Sequence, residues 1–310
     1  MGRPCKTKQA AEQGRSFGWH GIALAAPEGW ELGAYGGDRK AGYAYLDDGL
    51  QVRLRVRWNQ GPPRAPDLTR IVRKYRRTVR KDAKCPIHFE ELPNKWFPKG
   101  FRRDRSAAAF QWTGDQTTIG AAWYCHGCGR VVLLEVTMGP EGEDARQARG
   151  IVASARDHSA DGLDLWSVYG FAFMVPETYN LRETALQSGR LQFVLRKSRR
   201  AWIRVERWGL ADRVLRRAPL HKWPEELLKS ARVSRWSALS VTERDRGGLP
   251  GFRFEGKGVP GGLMNLVGPP VPLAGLVWHD PDKNKVIGVV VSGEEGGDLL
   301  DTVAATLEYA

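Results

Sequence analysis

The sequence predicts an α+β fold: two tandem copies of an antiparallel β-sheet flanked by α-helices, in a pseudo-twofold duplicated arrangement. Three observations carry this. Trp19-His20-Gly21-Ile22-Ala23-Leu24-Ala25-Ala26-Pro27-Glu28-Gly29-Trp30-Glu31-Leu32 is echoed 149 residues later by Val168-Tyr169-Gly170-Phe171-Ala172-Phe173-Met174-Val175-Pro176-Glu177-Thr178-Tyr179-Asn180-Leu181. Runs with a period of two, broken by turn residues, read as half-buried strands. Each copy also holds a middle and a closing segment with apolar residues at helical spacing.

In the first copy a strand at 21–26 ends in the turn Pro27-Glu28-Gly29-Trp30. Strands at 42–47 and 50–57 flank Asp47-Asp48-Gly49, a hairpin signal. In the second of these, Leu50, Val52, Leu54, Val56 and Trp58 alternate with Gln51, Arg53, Arg55 and Arg57, so one face is expected to be buried and the other basic. A loop rich in Pro and Gly, 61–66, leads to Asp67, a suitable N-cap, and to a helix at 68–83 that packs Leu68, Ile71, Val72, Tyr75 and Val79 inward. Strands at 106–113, 117–124 and 131–136 follow, then a closing helix at 143–157 with Ala145, Ala148, Ile151, Val152 and Ala155 inward.

The second copy repeats this order. A hairpin at 191–195 and 201–208 places Trp208 150 residues after Trp58, and a short middle helix is expected at 224–232. Val277-Trp278 answers Ala122-Trp123, 286–291 answers 131–136, and a last helix at 298–308 carries Leu299, Leu300, Val303, Ala304 and Leu307. The expected organisation is a basic disordered tail at 1–15, a first domain at 16–159, a linker around 158–162 short enough to keep the domains in contact, and a second domain at 163–310.

This order of elements, with a first strand that ends in Pro27-Glu28-Gly29-Trp30-Glu31-Leu32, resembles the PsbP-like family, that is, the extrinsic P subunit of photosystem II with its small Ran-binding and bacterial relatives. The resemblance covers both copies. It implies an αβα sandwich and partner binding, with no shared catalytic residues. Two features of the first copy lie outside the family pattern.

One is Cys125-His126-Gly127-Cys128-Gly129-Arg130, between two expected strands, where the second copy has His279-Asp280-Pro281-Asp282. A tight turn aiming two thiolates at one ion is zinc-knuckle context, whereas a redox pair usually opens a helix. Cys85-Pro86-Ile87-His88 supplies a second pair, so Cys85, His88, Cys125 and Cys128 form a candidate Cys3His set for structural zinc, with Cys5 or His126 as alternatives to His88. Free thiols or a reversible disulfide are the competing readings.

The other is the run at 70–84, where Arg70, Arg73, Lys74, Arg76, Arg77, Arg80, Lys81 and Lys84 stand against one acid, Asp82. The formal charge is +13, of which +10 falls in residues 1–160 and +3 in 161–310. A positive ridge on the middle helix suits an acidic protein surface or a nucleic-acid backbone, though it can also be a solvated face. The 12 tryptophans fall mostly in or beside expected strands, as core packing requires.

No apolar run reaches the roughly 18 residues that would span a bilayer. The polar, basic start lacks a secretory apolar stretch, and Lys6 stands where a myristoylation start wants Ser or Thr, so a cytoplasmic protein is expected. Gly256-x-Gly258-x-x-Gly261 matches a dinucleotide fingerprint by letters, but Val259-Pro260 interrupts it and a loop is expected. No His-Glu-x-x-His, Gly-x-Ser-x-Gly or phosphate loop occurs. The leading expectation is therefore a non-catalytic binding or assembly protein with one structural zinc site, docking an acidic macromolecule through its basic helix. The alternatives are a nucleic-acid accessory factor, and a redox or metal-dependent enzyme using Cys125 or Cys128. The oligomeric state is left open.

Overall fold

The structure, a computed structural model, describes residues 14–139, 145–231, 233–260 and 269–310. The chain divides into two compact units: Met1–Asp161 with Ser167–Tyr169, and Gly162–Trp166 with Gly170–Ala310. Most of the expected tail at 1–15 lies outside the described residues, and Arg15 already belongs to a strand.

The first unit opens with a hairpin of β1 (Arg15–Trp19) and β2 (Ile22–Ala26), in which Trp19 faces Ile22. The two residues between them, His20 at φ 52° and Gly21 at φ 81°, are both left-handed, as a type I′ turn requires. Seven strands then build one antiparallel sheet: β3 (Glu31–Gly37), β4 (Ala41–Asp47), β5 (Val52–Gln60), β6 (His88–Leu92), β7 (Arg105–Thr113), β8 (Thr117–Cys125) and β9 (Arg130–Thr137). Their order across the sheet is β3-β4-β5-β9-β8-β7-β6.

Helix α1 (Leu68–Asp82) starts where Asp67 accepts from the backbone N–H groups of Thr69 at 2.9 Å and Arg70 at 3.3 Å, a cap of about 1 kcal/mol. It packs Val72 and Tyr75 against Phe89, Phe110 and Ala122 on one face of the sheet. Burial of each such side chain contributes about 1.5–3 kcal/mol. Helix α2 (Ala145–Ser154) buries Ala148, Ile151 and Val152, while Ala145, expected inside, is exposed.

The second unit has the first part of β10 (Leu163–Val168) and all of β11 (Phe171–Pro176), the two strands joined through Tyr169 at φ 49° and Gly170 at φ 65°, the same left-handed pair as His20-Gly21. Its seven-stranded sheet comprises β12 (Asn180–Gln187), β13 (Arg190–Arg196), β14 (Trp202–Gly209), β15 (Val233–Glu243), β16 (Gly251–Pro260), β17 (Val271–Asp280) and β18 (Lys285–Ser292). The order β12-β13-β14-β18-β17-β16-β15 matches that of the first sheet position by position. Helices α3 (Ala211–Arg217) and α4 (Trp223–Ser230) stand where the first unit has α1, and α5 (Gly296–Ala305) where it has α2. A last short strand, β19 (Glu308–Tyr309), pairs with β11.

The structure corrects several expectations. Leu50 is 94% exposed because it sits in the hairpin turn, and Arg53, expected on an open basic face, is buried beside Trp30 and Asp48. Trp58 and Trp208 are not equivalent. Trp58 faces Val132 on the side that holds His20, whereas Trp208 packs on Trp223 of α4, on the opposite face of its sheet. A spacing of 150 rather than 149 is a slip of one residue, and a slip of one turns a strand side chain over. Gly256 and Gly258 are strand residues of β16 and not loop, paired with Leu273 and Val271 of β17; Cβ atoms there would press on Ser237 and Leu273, which accounts for the glycines, while Gly261 lies outside the described residues.

His20 is buried, with its ring near Trp19 and Trp58. Burial, with the Arg130 charge acting in the same direction, lowers its pKa to about 4. The unfolded chain therefore takes up a proton near pH 6.5 that the folded chain refuses. This stability is full above about pH 6.5 and is lost progressively toward pH 4, by about 3 kcal/mol in all. Urea unfolding of wild type and His20→Asn, which keeps a residue tolerant of the left-handed turn, should show that slope in the difference between them and only in that pH window. Parallel pH profiles would refute this account of His20.

Candidate metal centre

Strand β8 ends at Cys125, and the chain turns through His126, Gly127 and Cys128 into β9. The turn closes by the N–H of Gly129 donating to the Cys125 carbonyl at 2.9 Å, with Gly129 at φ 72°. A side chain there would be strained by that φ and would meet Gln60 Nε2 at 2.9 Å, which explains the glycine after the second cysteine. The N–H of His126 donates to the carbonyl of Asp104, and Gln60 Nε2 donates to that of Cys128. Both cysteines are thereby fixed at one end of the sheet.

The segment after α2 returns to this end. The N–H of Arg156 donates to the Ala23 carbonyl at 2.7 Å, and the next residues are Asp157, fully buried, and His158, about one-third exposed. One ligand atom from each of Cys125, Cys128, Asp157 and His158 lies within 4.8 Å of every other. Sγ of Cys125 is 3.5 Å from Nδ1 of His158. That separation is what zinc-ligand bonds of about 2.3 Å to sulfur and about 2.0 Å to nitrogen at tetrahedral angles demand.

The carboxylate is held from behind. Oδ2 of Asp157 accepts from Trp123 Nε1 at 2.6 Å and lies 3.6 Å from Arg105 Nε, while Arg130 Nη1 donates to the Asp157 carbonyl at 2.9 Å. Oδ1 stays with the cluster, 2.8 Å from His158 Nδ1. Such partners orient a ligand without occupying its binding oxygen. The hydrogen bond between the two thiols holds Cys128 below the ordinary thiol range and pushes Cys125, which burial also disfavours as a thiolate, above it. The four residues are thus a donor set of two sulfurs, one nitrogen and one oxygen that can hold a metal ion.

The expected Cys3His set is not assembled. Cys125 lies opposite Arg105 at one end of β7, whereas His88 lies opposite Thr113 at the other. Eight residues of extended chain separate those ends, about 26 Å at about 3.3 Å per residue. Cys85 sits with Ile87 near Gly114, also at that far end. His126 turns to Ser106 Oγ, 3.2 Å away, and to Tyr124, and Cys5 lies outside the described residues. The spacing pointed to the two cysteines of the turn, which lie in the candidate cluster, and did not point to its other members, Asp157 and His158.

The matching end of the second sheet is built differently. There Trp278 Nε1 donates to the hydroxyl of Tyr309 at 3.0 Å, in the place of Trp123 and Asp157, and Arg246 covers Trp278 as Arg105 covers Trp123. Asp280 ends β17 as Cys125 ends β8, and Lys283 follows it by three residues as Cys128 follows Cys125. The Lys283 ammonium donates to the Tyr309 carbonyl, the counterpart of the Asp157 carbonyl that Cys128 approaches. An organic cation, the Lys283 ammonium, thus stands in the second unit where the first unit has Cys128 of the candidate cluster. The same asymmetry that marked the cysteines was readable in Asp157-His158 against Tyr309-Ala310.

The basic run forms α1 as expected. Arg70, Arg73, Lys74, Arg77, Arg80, Lys81 and Lys84 are exposed, and Arg76 lies partly buried over Phe89. Among the described residues none of these eight cations is ion-paired. No helix among the described residues is long and apolar enough to cross a membrane.

No family model and no curated protein matches the chain. Among solved structures it is similar to cyanobacterial PsbP (CyanoP) from Synechocystis sp. PCC 6803, at 19% identity and TM-score 0.31 over 49% of this chain and 95% of that one. It is also similar to the apo immunity protein TplEi of the T6SS from Pseudomonas aeruginosa, at 11% identity and TM-score 0.35 over 94% of this chain and 95% of that one. Likenesses at these TM-scores carry no function across.

Proposed function

We propose that this chain is a non-catalytic binding or assembly protein, a duplication of a PsbP-like domain. Its first copy carries a structural zinc ion on Cys125, Cys128, Asp157 and His158 and docks an acidic macromolecular partner through α1. The observation that carries the zinc assignment is the donor set itself. Two thiolates, an imidazole and a carboxylate whose second oxygen is already spent on Trp123 fill four positions and leave none for a substrate.

The plain alternative is a buried carboxylate that only anchors Trp123. It accounts for Oδ2 and for Tyr309 doing that work in the second unit, but for neither thiol and not for His158. A zinc there would tie the β8–β9 turn to the chain leaving α2, two segments about 30 residues apart, and so close a loop in the first unit. The reducing cytoplasm expected from the sequence would keep both thiols available. Support for duplication comes from the matched strand orders and from the type I′ turns at His20-Gly21 and Tyr169-Gly170.

Elemental mass spectrometry of protein purified without chelator should find one zinc per chain, and chelation should lower the melting temperature. Metal-free protein that stays metal-free after equilibration with zinc, with a melt indifferent to chelator, would sink the assignment.

A further inference from the structure

Helix α1 covers the β7–β8 part of its face of the sheet, and the β4–β5 part of the same face carries a different surface. Tyr43 lies opposite Arg57 and Tyr45 opposite Arg55. The two tyrosine rings are 5.0 Å apart at a tilt of 40°, and the Arg55 and Arg57 guanidinium groups lie 5.9 and 5.6 Å from the Tyr45 ring centre. Tyr43 is 38% exposed. On the edge strand β3 the residues facing Tyr43 and Tyr45 are Gly36 and Ala34, too small to cover them.

This platform runs into a groove of about 770 Å³ beside α1, whose walls include Arg55, Arg57, Thr78, Lys84 and Trp112. Lys74 and Lys81 lie one helical turn before and after Thr78, on the same flank of α1. Glu135, on the groove floor, accepts from the Tyr75 hydroxyl and lies 3.4 Å from Arg57, so its charge is answered within the protein. Asp82 and Asp115 also line the groove, but the surrounding balance is cationic.

We propose that this face binds single-stranded nucleic acid, with an unpaired base stacking on Tyr43 and phosphates answered by Arg55, Lys74, Lys81 and Lys84. This rests on the basic face of α1 being a docking surface, and it names the partner's chemistry. An acidic protein surface would use the cations alike but leave the exposed ring of Tyr43 without a role. Bases have π-faces that stack on exposed aromatic rings beside a positive groove, and a duplex keeps those faces hidden.

Fluorescence anisotropy of the full chain with a labelled oligo(dT) of about 20 nucleotides tests this. Binding should weaken steeply between about 50 and about 200 mM salt. Tyr43→Ala should bind about 5- to 100-fold more weakly with an unchanged melt, and Tyr43→Phe, which keeps the ring, should bind like wild type. Oligo(dT) binding indifferent to Tyr43→Ala would overturn the stacking assignment. Binding of poly-glutamate but not of oligo(dT) would overturn nucleic acid while leaving the basic docking face standing, and binding of neither would remove both.

Discussion

Cys125→Ser is expected to lower the melting temperature of the first unit by about 8–16 °C, to the value of chelator-treated wild type. A ligand at about 1,000 times its dissociation constant contributes about 4 kcal/mol to the state that binds it, and about 1 kcal/mol moves the melt of a domain this size by about 2–4 °C. Cys125 is buried at the end of β8, and a serine there offers zinc a hydroxyl that ionises far less readily than a thiol. Chelator should have no further effect on the variant, because the two perturbations remove one and the same interaction. Cys85→Ser and His88→Ala serve as controls, since both residues sit at the far end of β7, and they should leave zinc content and chelator sensitivity unchanged. If instead His88→Ala released the metal and His158→Ala did not, the ligand assignment drawn from the fold would be wrong.

The contrast between those variants marks how far the sequence could be followed. The Cys-x-x-Cys turn was legible because both cysteines and the glycine after them are local: a tight hairpin needs Gly129 whatever the rest of the chain does. The other two members of the candidate set, Asp157 and His158, were not, because spacing along a chain says nothing about which end of a strand a residue reaches. Cys85 and His88 precede β7 and lie beside its end, whereas Asp157 and His158 follow a helix that brings the chain back across the sheet.

Elements with strong periodicity, such as α1 with its Asp67 cap and the β4–β5 hairpin, were readable for the same local reason. Strand β3, with Gly33, Gly36 and Gly37, and the short edge strand β6 carry too little alternation to show themselves. The face of Trp208 was misread because repeat spacing fixes a strand's position only to within a residue, and one residue reverses it.

Glu206 is a fully buried charge of the second unit that no pattern announced, and Glu206→Ala is expected to cost about 3–5 kcal/mol. The carboxylate is fully buried on β14 and is met on both oxygens: Arg190 and Trp208 donate to Oε2 at 2.9 Å, Ser230 donates to Oε1 at 2.9 Å, and Arg204 also donates to Oε1. Burial would raise its pKa, but the charges of Arg204 and Arg190 and the hydrogen bonds from Arg204 and Ser230 outweigh it and hold the group below its ordinary value. Its stabilisation is therefore complete above about pH 4.5 and lost as pH falls through the lower folded value. Removing the carboxylate strands Arg204, itself only 5% exposed, with the Gln192 side-chain oxygen as its remaining hydrogen-bond partner among the described residues, and uncouples Ser230 at the end of α4 from the sheet. Denaturant unfolding of Glu206→Ala should show the full loss, whereas a double variant that also makes Arg204→Leu should recover part of it, because the stranded charge goes with its partner. A double variant no more stable than the single one would mean that the cost lies in the lost packing of the side chain and not in an unpaired cation.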